Sequence, residues 1–211
     1  MRIVFFGDSI TDANHIRDRE CGLHVAYGAG YVNHVAATLT DEDPRGYEIV
    51  NRGVSGNRTT ELLVRINQDV WQEGPDVLSI LIGVNDVLFE IMRRDGVDIG
   101  WFEQNYRLMI EGTRKRLPQT KIMLCEPFIL KGSATAERWE EWLEVKKYAT
   151  VVESLAKEYG LIFVPLQKML DEASERYGGD EYCAADGVHP TVAAAKLIAR
   201  QWVKIFKEKI K

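Results

Sequence analysis

The run Val77-Leu78-Ser79-Ile80-Leu81-Ile82 is the most strand-like in the chain, with apolar residues at both odd and even positions. A strand without a polar face must be covered on both sides, which is the place of a central strand in a parallel sheet flanked by helices. Four further runs, 2–6, 47–51, 121–128 and 161–164, read as strands because β-branched and aromatic residues cluster there between small polar ones. Between them lie stretches with apolar residues at helical spacing, over 30–39, 59–73, 101–117, 136–159, 166–177 and 192–210. In 59–73 the apolar stripe is Leu62, Leu63, Ile66 and Val70, and in the last stretch it is Val192, Ala195, Ala199, Trp202 and Phe206. Strands alternating with helices, and no break in composition, predict an α/β fold: one domain over 1–211 with a five-stranded parallel sheet between two helical layers.

With 211 residues the chain is long enough to bury roughly 70% of its unfolded surface. Its net charge of -5 and isoelectric point near 5.5 disfavour nucleic acid and anionic membranes as partners, because a mildly acidic surface attracts neither. No apolar run reaches the eighteen or so residues of a membrane helix. Met1-Arg2 leads directly into the first strand without a signal-like leader, and three widely spaced cysteines, Cys21, Cys125 and Cys183, suit free thiols; the expectation is a cytoplasmic protein. No Cys or His pair has metal-ligand spacing, so no metal site is expected.

The chemistry concentrates where strands end. Gly7-Asp8-Ser9-Ile10 follows the first strand, Ser55-Gly56-Asn57 the second and Gly83-Val84-Asn85-Asp86 the third, while Asp186-Gly187-Val188-His189 comes near the end of the chain. In open α/β sheets the carboxyl edge of the strands is where ligands bind. Each block alone is ordinary turn chemistry, since Gly, Asp, Asn and Ser favour turns, and Pro190 or Thr191 could simply begin the last helix. Together they supply complementary parts. A serine needs a base to take its proton and donors to stabilise the oxyanion formed by its attack.

These four blocks, in this order and over nearly the whole length, resemble the SGNH hydrolases, also called GDSL esterases and lipases. The motif departs from the family's only in Ile10 for leucine, which preserves volume and polarity. The resemblance implies a three-layer α/β/α sandwich of flavodoxin-like type, with Ser9 as nucleophile, His189 as general base and Asp186 orienting the histidine. It further implies an oxyanion hole built from the backbone N–H groups of Ser9 and Gly56 and the side-chain amide of Asn85, and a reaction that needs no cofactor. His15 and His24 are also close to Ser9 in sequence, but no carboxylate is seen to pair with either as Asp186 pairs with His189. Both are read as surface or pocket-rim residues in a charged loop over 12–28, and His34 as solvent-facing.

Around the blocks, Gly30-Tyr31-Val32, Val50-Asn51-Arg52-Gly53 and Ile82-Gly83-Val84-Asn85-Asp86-Val87 resemble the acetylxylan esterase branch of the family. That implies removal of acetyl groups from sugar hydroxyls of xylan-derived or similar oligosaccharides, inside the cell, by a homo-oligomer. A broader acyl esterase, a thioesterase, a lysophospholipase and an acetyltransferase working through the same acyl-serine stay open, as does a binding protein that only retains the fold. Trp139 and Trp142, three apart on a helix, could stack on sugar but read first as core or subunit packing, with Leu143 and Val145 beside them. Phe89 and Trp101 read equally as pocket wall or core.

Overall fold

The computed structural model describes residues 1–17 and 26–211. Cys21 and His24 lie outside the described residues. Five strands, β1 (Arg2–Gly7), β2 (Glu48–Gly53), β3 (Val77–Leu81), β4 (Lys121–Cys125) and β5 (Ile162–Val164), pair in parallel in the order β2-β1-β3-β4-β5. The run at 77–82 accounts for this arrangement: every residue of β3 is buried, and β3 is the middle strand of the sheet. Helices cover both faces. Phe5 and Ser79 are paired in register, and both meet Trp202, which donates its indole N–H to Ser79 Oγ at 2.9 Å. This brings α9 (Val192–Lys209) against one face, where it packs on α2 (Tyr31–Glu42) and meets α8 (Gln167–Tyr177). On the opposite face the guanidinium of Arg65 lies over Phe6, so α3 (Thr59–Ile66) packs there beside α5 (Ile99–Arg116) and α7 (Glu144–Glu158).

Local departures from the pattern have identifiable causes. The helix expected over 59–73 widens after Ile66 into a π-helical turn, Asn67–Trp71, and Leu63 is only half-buried although it was placed on the apolar stripe. Strand β4 ends at Cys125 rather than at 128, because Pro127 has no N–H to offer a ladder. The block 82–87, expected as a loop, turns within two residues of β3 into a ten-residue helix, α4 (Val84–Arg93); Gly83, at φ +145°, makes that turn possible. The long helix expected over 136–159 is two helices, α6 (Trp139–Trp142) and α7. It starts late because residues 133–136 are committed elsewhere: the N–H groups of Ser133 and Ala134 donate to the carbonyls of Ala185 and Asp186.

Trp142 is 2% exposed and Val145 is fully buried, so these side chains pack within the chain and are not available for a contact between subunits. Val192, placed in register with the core, is 74% exposed, as suits the first residue of a helix capped by Thr191. Cys125 and Cys183 are buried free thiols.

Candidate active site

Strand β1 delivers Ser9. Gly7, its last residue, lies so close to Leu81 O and Thr11 Oγ1 that a Cβ would stand 2.4 Å from each. The chain then turns at once into a short helix, α1 (Ser9–Asp12), whose first turn is capped by Asp8 Oδ1 accepting the Ile10 N–H at 3.0 Å. The Asp8 carboxyl is 1% exposed, and burial pushes its pKa up to about 7.

Ser9 Oγ stands 2.9 Å from His189 Nε2, and His189 Nδ1 stands 2.6 Å from Asp186 Oδ2. The other oxygen, Asp186 Oδ1, accepts the backbone N–H groups of Val188 at 2.8 Å and His189 at 2.7 Å, so a single turn fixes carboxylate and ring together. Burial pushes the Asp186 carboxyl up, but the donors of His189 outweigh it and the group titrates below the usual carboxylate range. An ionised Asp186 only accepts, which places the proton on Nδ1 and leaves the Nε2 lone pair facing Ser9. The turn is braced from behind by residues 130–135. Leu130 N–H donates to Gly187 O, and a Cβ on Gly132 would come within 2.2 Å of Gly187 N.

Two other loops converge on the same edge. Gly56 sits at φ +80° in an exposed loop, with nothing within 4 Å of where its Cβ would be, so it is the backbone conformation and not crowding that calls for glycine. This loop is tied to β1 by Val54 N–H donating to Gly7 O at 3.0 Å. Arg65, reaching over from α3, donates to Gly7 O, Arg52 O and Asn57 Oδ1 at 2.9, 2.8 and 2.7 Å. Asn85, 3% exposed in the first turn of α4, donates one amide hydrogen to Asn57 O at 2.9 Å, which fixes its rotamer relative to the Gly56 loop. Its neighbour Asp86 accepts from Thr59 N and Oγ1, locking the starts of α3 and α4 together; burial raises this carboxyl to about 7. A cavity of about 320 Å³ opens beside Ser9 on the side of α1 and the start of α2, lined by Ser9, Ala13, Asn14, Gly30, Ser55 and His189 among others, and Gly56 and Asn85 are not in its wall.

The structure thus joins Ser9, His189 and Asp186 by direct hydrogen bonds, and links Gly56 and Asn85 to them through the backbone of residues 54–57. Phe89 instead lies half-buried under the guanidinium groups of Arg58 and Arg93, and Trp101 is largely exposed; neither lines this cavity. His34 is half-buried. One expectation is overturned. His15 does have a carboxylate partner, Asp12, whose Oδ1 lies 2.7 Å from Nδ1, and its side chain is only 2% exposed. The signal was present in the sequence, since Asp12 and His15 repeat the three-residue spacing of Asp186 and His189. Arg65 was missed because nothing near it in the chain hints at its partners. Among the described residues no cluster of three or more His, Cys, Asp or Glu could hold a metal ion, and no helix is long and apolar enough to cross a membrane.

Residues 5–197 match the model of the GDSL-like Lipase/Acylhydrolase family. The chain is similar to an acetylxylan esterase of Geobacillus stearothermophilus, at 33% identity over 212 residues that cover 96% of this chain and 92% of that protein. Among solved structures, a candidate GDSL-like lipase from Parabacteroides merdae superposes with a TM-score of 0.92 at 34% identity, covering 99% and 96% of the two chains. The structure of Axe2, an acetylxylan esterase from Geobacillus stearothermophilus, gives 0.84 at 31% identity, covering 97% and 93%.

Proposed function

The chain belongs to the GDSL-like lipase/acylhydrolase family, the SGNH hydrolases, and we propose that within it this protein is a carbohydrate O-acetylesterase acting through an acyl-serine. The observation that carries this reading is the hydrogen-bonded series Ser9 Oγ, His189 Nε2, His189 Nδ1, Asp186 Oδ2 at the carboxyl edge of the sheet. Similarity to acetylxylan esterases over nearly the full length supports acetylated xylan fragments as the substrate class.

In this mechanism Ser9 Oγ attacks the acetyl carbonyl carbon while His189 Nε2 takes the hydroxyl proton. The negative charge that develops on the carbonyl oxygen is met by the N–H groups of Ser9 and Gly56 and by the amide hydrogen of Asn85 not used by Asn57. Collapse of the tetrahedral intermediate breaks the bond to the sugar oxygen, which leaves with the proton from His189. Water then attacks the acetyl-serine, giving its proton to His189; collapse releases acetate and returns the proton to Ser9. Asp186 stays ionised throughout and stabilises the imidazolium.

The test is a chain-length series of chromogenic esters, followed by acetylated xylo-oligosaccharides. Acetyl preferred over octanoyl, with acetate released from the oligosaccharides, is the expected result. A preference for octanoyl would overturn the acetyl-sugar reading in favour of a lipid or thioester substrate.

A further inference from the structure

Asp12 closes α1 three residues after Ser9, and both of its carboxylate oxygens are committed. Oδ2 accepts the backbone N–H of Ser55 at 3.0 Å and the Ser55 hydroxyl at 2.6 Å, and Oδ1 faces His15 Nδ1 at 2.7 Å. Ser55 immediately precedes Gly56, so the peptide that carries the Gly56 N–H is anchored at its front to the same helix that carries Ser9. Gly53, on the near side of the loop, lies so close that a Cβ would come within 2.1 Å of Asp12 N. The far side is held by Arg65 through Asn57. Burial pushes the Asp12 carboxyl up, but the donors from Ser55 and His15 outweigh it, so it remains an acceptor at neutral pH. His15 Nδ1 therefore donates to Asp12 Oδ1, and Nε2 is buried with no hydrogen-bond partner among the described residues. A ring placed so has its use on the Nδ1 side, toward Asp12.

We infer that Asp12 and His15 are positioning residues for the oxyanion hole: His15 holds the Asp12 carboxylate in the rotamer that anchors Ser55, and Asp12 thereby aims the Gly56 N–H at the oxyanion. The inference rests on the acyl-serine reading given above. Donors to an oxyanion act only when aimed before the charge develops, so loosening this anchor lowers kcat and leaves ground-state binding nearly untouched.

Asp12→Asn is the direct test. Its amide cannot accept from Ser55 and His15 on both sides at once, because one of its ends becomes a donor. Expected is a fall in kcat on an acetyl ester of about 10- to 100-fold, with KM changed by less than about threefold, and a similar loss of affinity for a small alkylboronic acid that mimics the tetrahedral adduct. His15→Asn, whose amide nitrogen can occupy the position of Nδ1, is expected to recover most of the activity that His15→Leu loses. A kcat within twofold of wild type in Asp12→Asn overturns the inference; should that variant fail to fold, equal kcat in His15→Leu and wild type overturns it. Ser9→Ala assayed alongside separates the two levels. If Ser9→Ala keeps activity, the reading of the site falls; if it is dead while Asp12→Asn and His15→Leu match wild type, only the positioning role falls.

Discussion

Ser9 Oγ and His189 Nε2 are 2.9 Å apart although 180 positions separate the two residues in the chain. The contact exists because β1, at the inside of the sheet, ends beside the turn that leads into α9, and α9 packs on the same face as Phe5. Its polarity is set one residue further out, at Asp186.

Replacing Asp186 by Asn keeps the size of the side chain but allows its amide to donate toward His189 Nδ1. The proton then moves to Nε2, and the ring can no longer accept from Ser9. Expected is a fall in kcat of about 10⁴-fold with little change in folding stability, read by steady-state kinetics on an acetyl ester beside a melting curve.

Asn85 contributes an uncharged donor already oriented by Asn57 O. Asn85→Ala removes the donor that meets the developing charge, and kcat is expected to drop about 10²- to 10³-fold while KM stays within a few-fold. A rise in KM alone would assign Asn85 to substrate binding instead.

The buried Asp8 carboxyl gives a stability signature with a definite sign. Its pKa is about 7 in the folded chain against an ordinary value of 3.8, so between these values the folded state holds a proton that the unfolded state has lost. Stability is accordingly lost as pH rises from about 4 to about 7, and above that the full penalty remains. Asn at this position stays neutral throughout and can still cap Ile10. The melting temperature of Asp8→Asn relative to wild type is expected to rise between pH 5 and pH 8; an unchanged difference would contradict a buried, protonated Asp8.

Gly132 sits against the backbone of the turn that carries Asp186 and His189. A methyl group there would press within 2.2 Å of Gly187 N and 2.4 Å of Asp186 C, backbone atoms that cannot step aside alone. Gly132→Ala is expected to lower both the melting temperature and kcat, because the turn must move and take the imidazole with it. Comparison with Gly160→Ala, at a glycine with φ +60° and open space around it, separates the two effects: that change strains the backbone far from Ser9 and should spare kcat.

Much of the fold was legible because its strands are nearly continuous apolar runs, and the Asp186-Gly187-Val188-His189 turn because all its geometry is local. What the sequence hid depends on distant partners. The break before α6 arises from hydrogen bonds between 133–134 and 185–186, which no periodicity in 136–159 could reveal. Helix α4 was concealed by its opening Gly-Val-Asn-Asp, in which Asn85 donates to Asn57 O and Asp86 accepts from Thr59 at the start of α3, residue types that favour turns over helix interiors. Arg65 looks like any surface arginine on a helix until β1 and the 52–57 segment are seen beneath it. His15 reads as a rim residue so long as no carboxylate is paired with it; Asp12, three residues before it, is that partner, and the side chain is buried.

The central claim is that Ser9 is the residue that becomes acylated. Treating the protein with diethyl p-nitrophenyl phosphate, counting the p-nitrophenolate released and mapping the modified peptide by mass spectrometry tests it most directly. One equivalent released per chain, with a diethylphosphoryl group on Ser9 and no turnover afterwards, is the predicted result. A group found on another residue such as Ser55, or activity that survives full labelling of Ser9, would contradict the account.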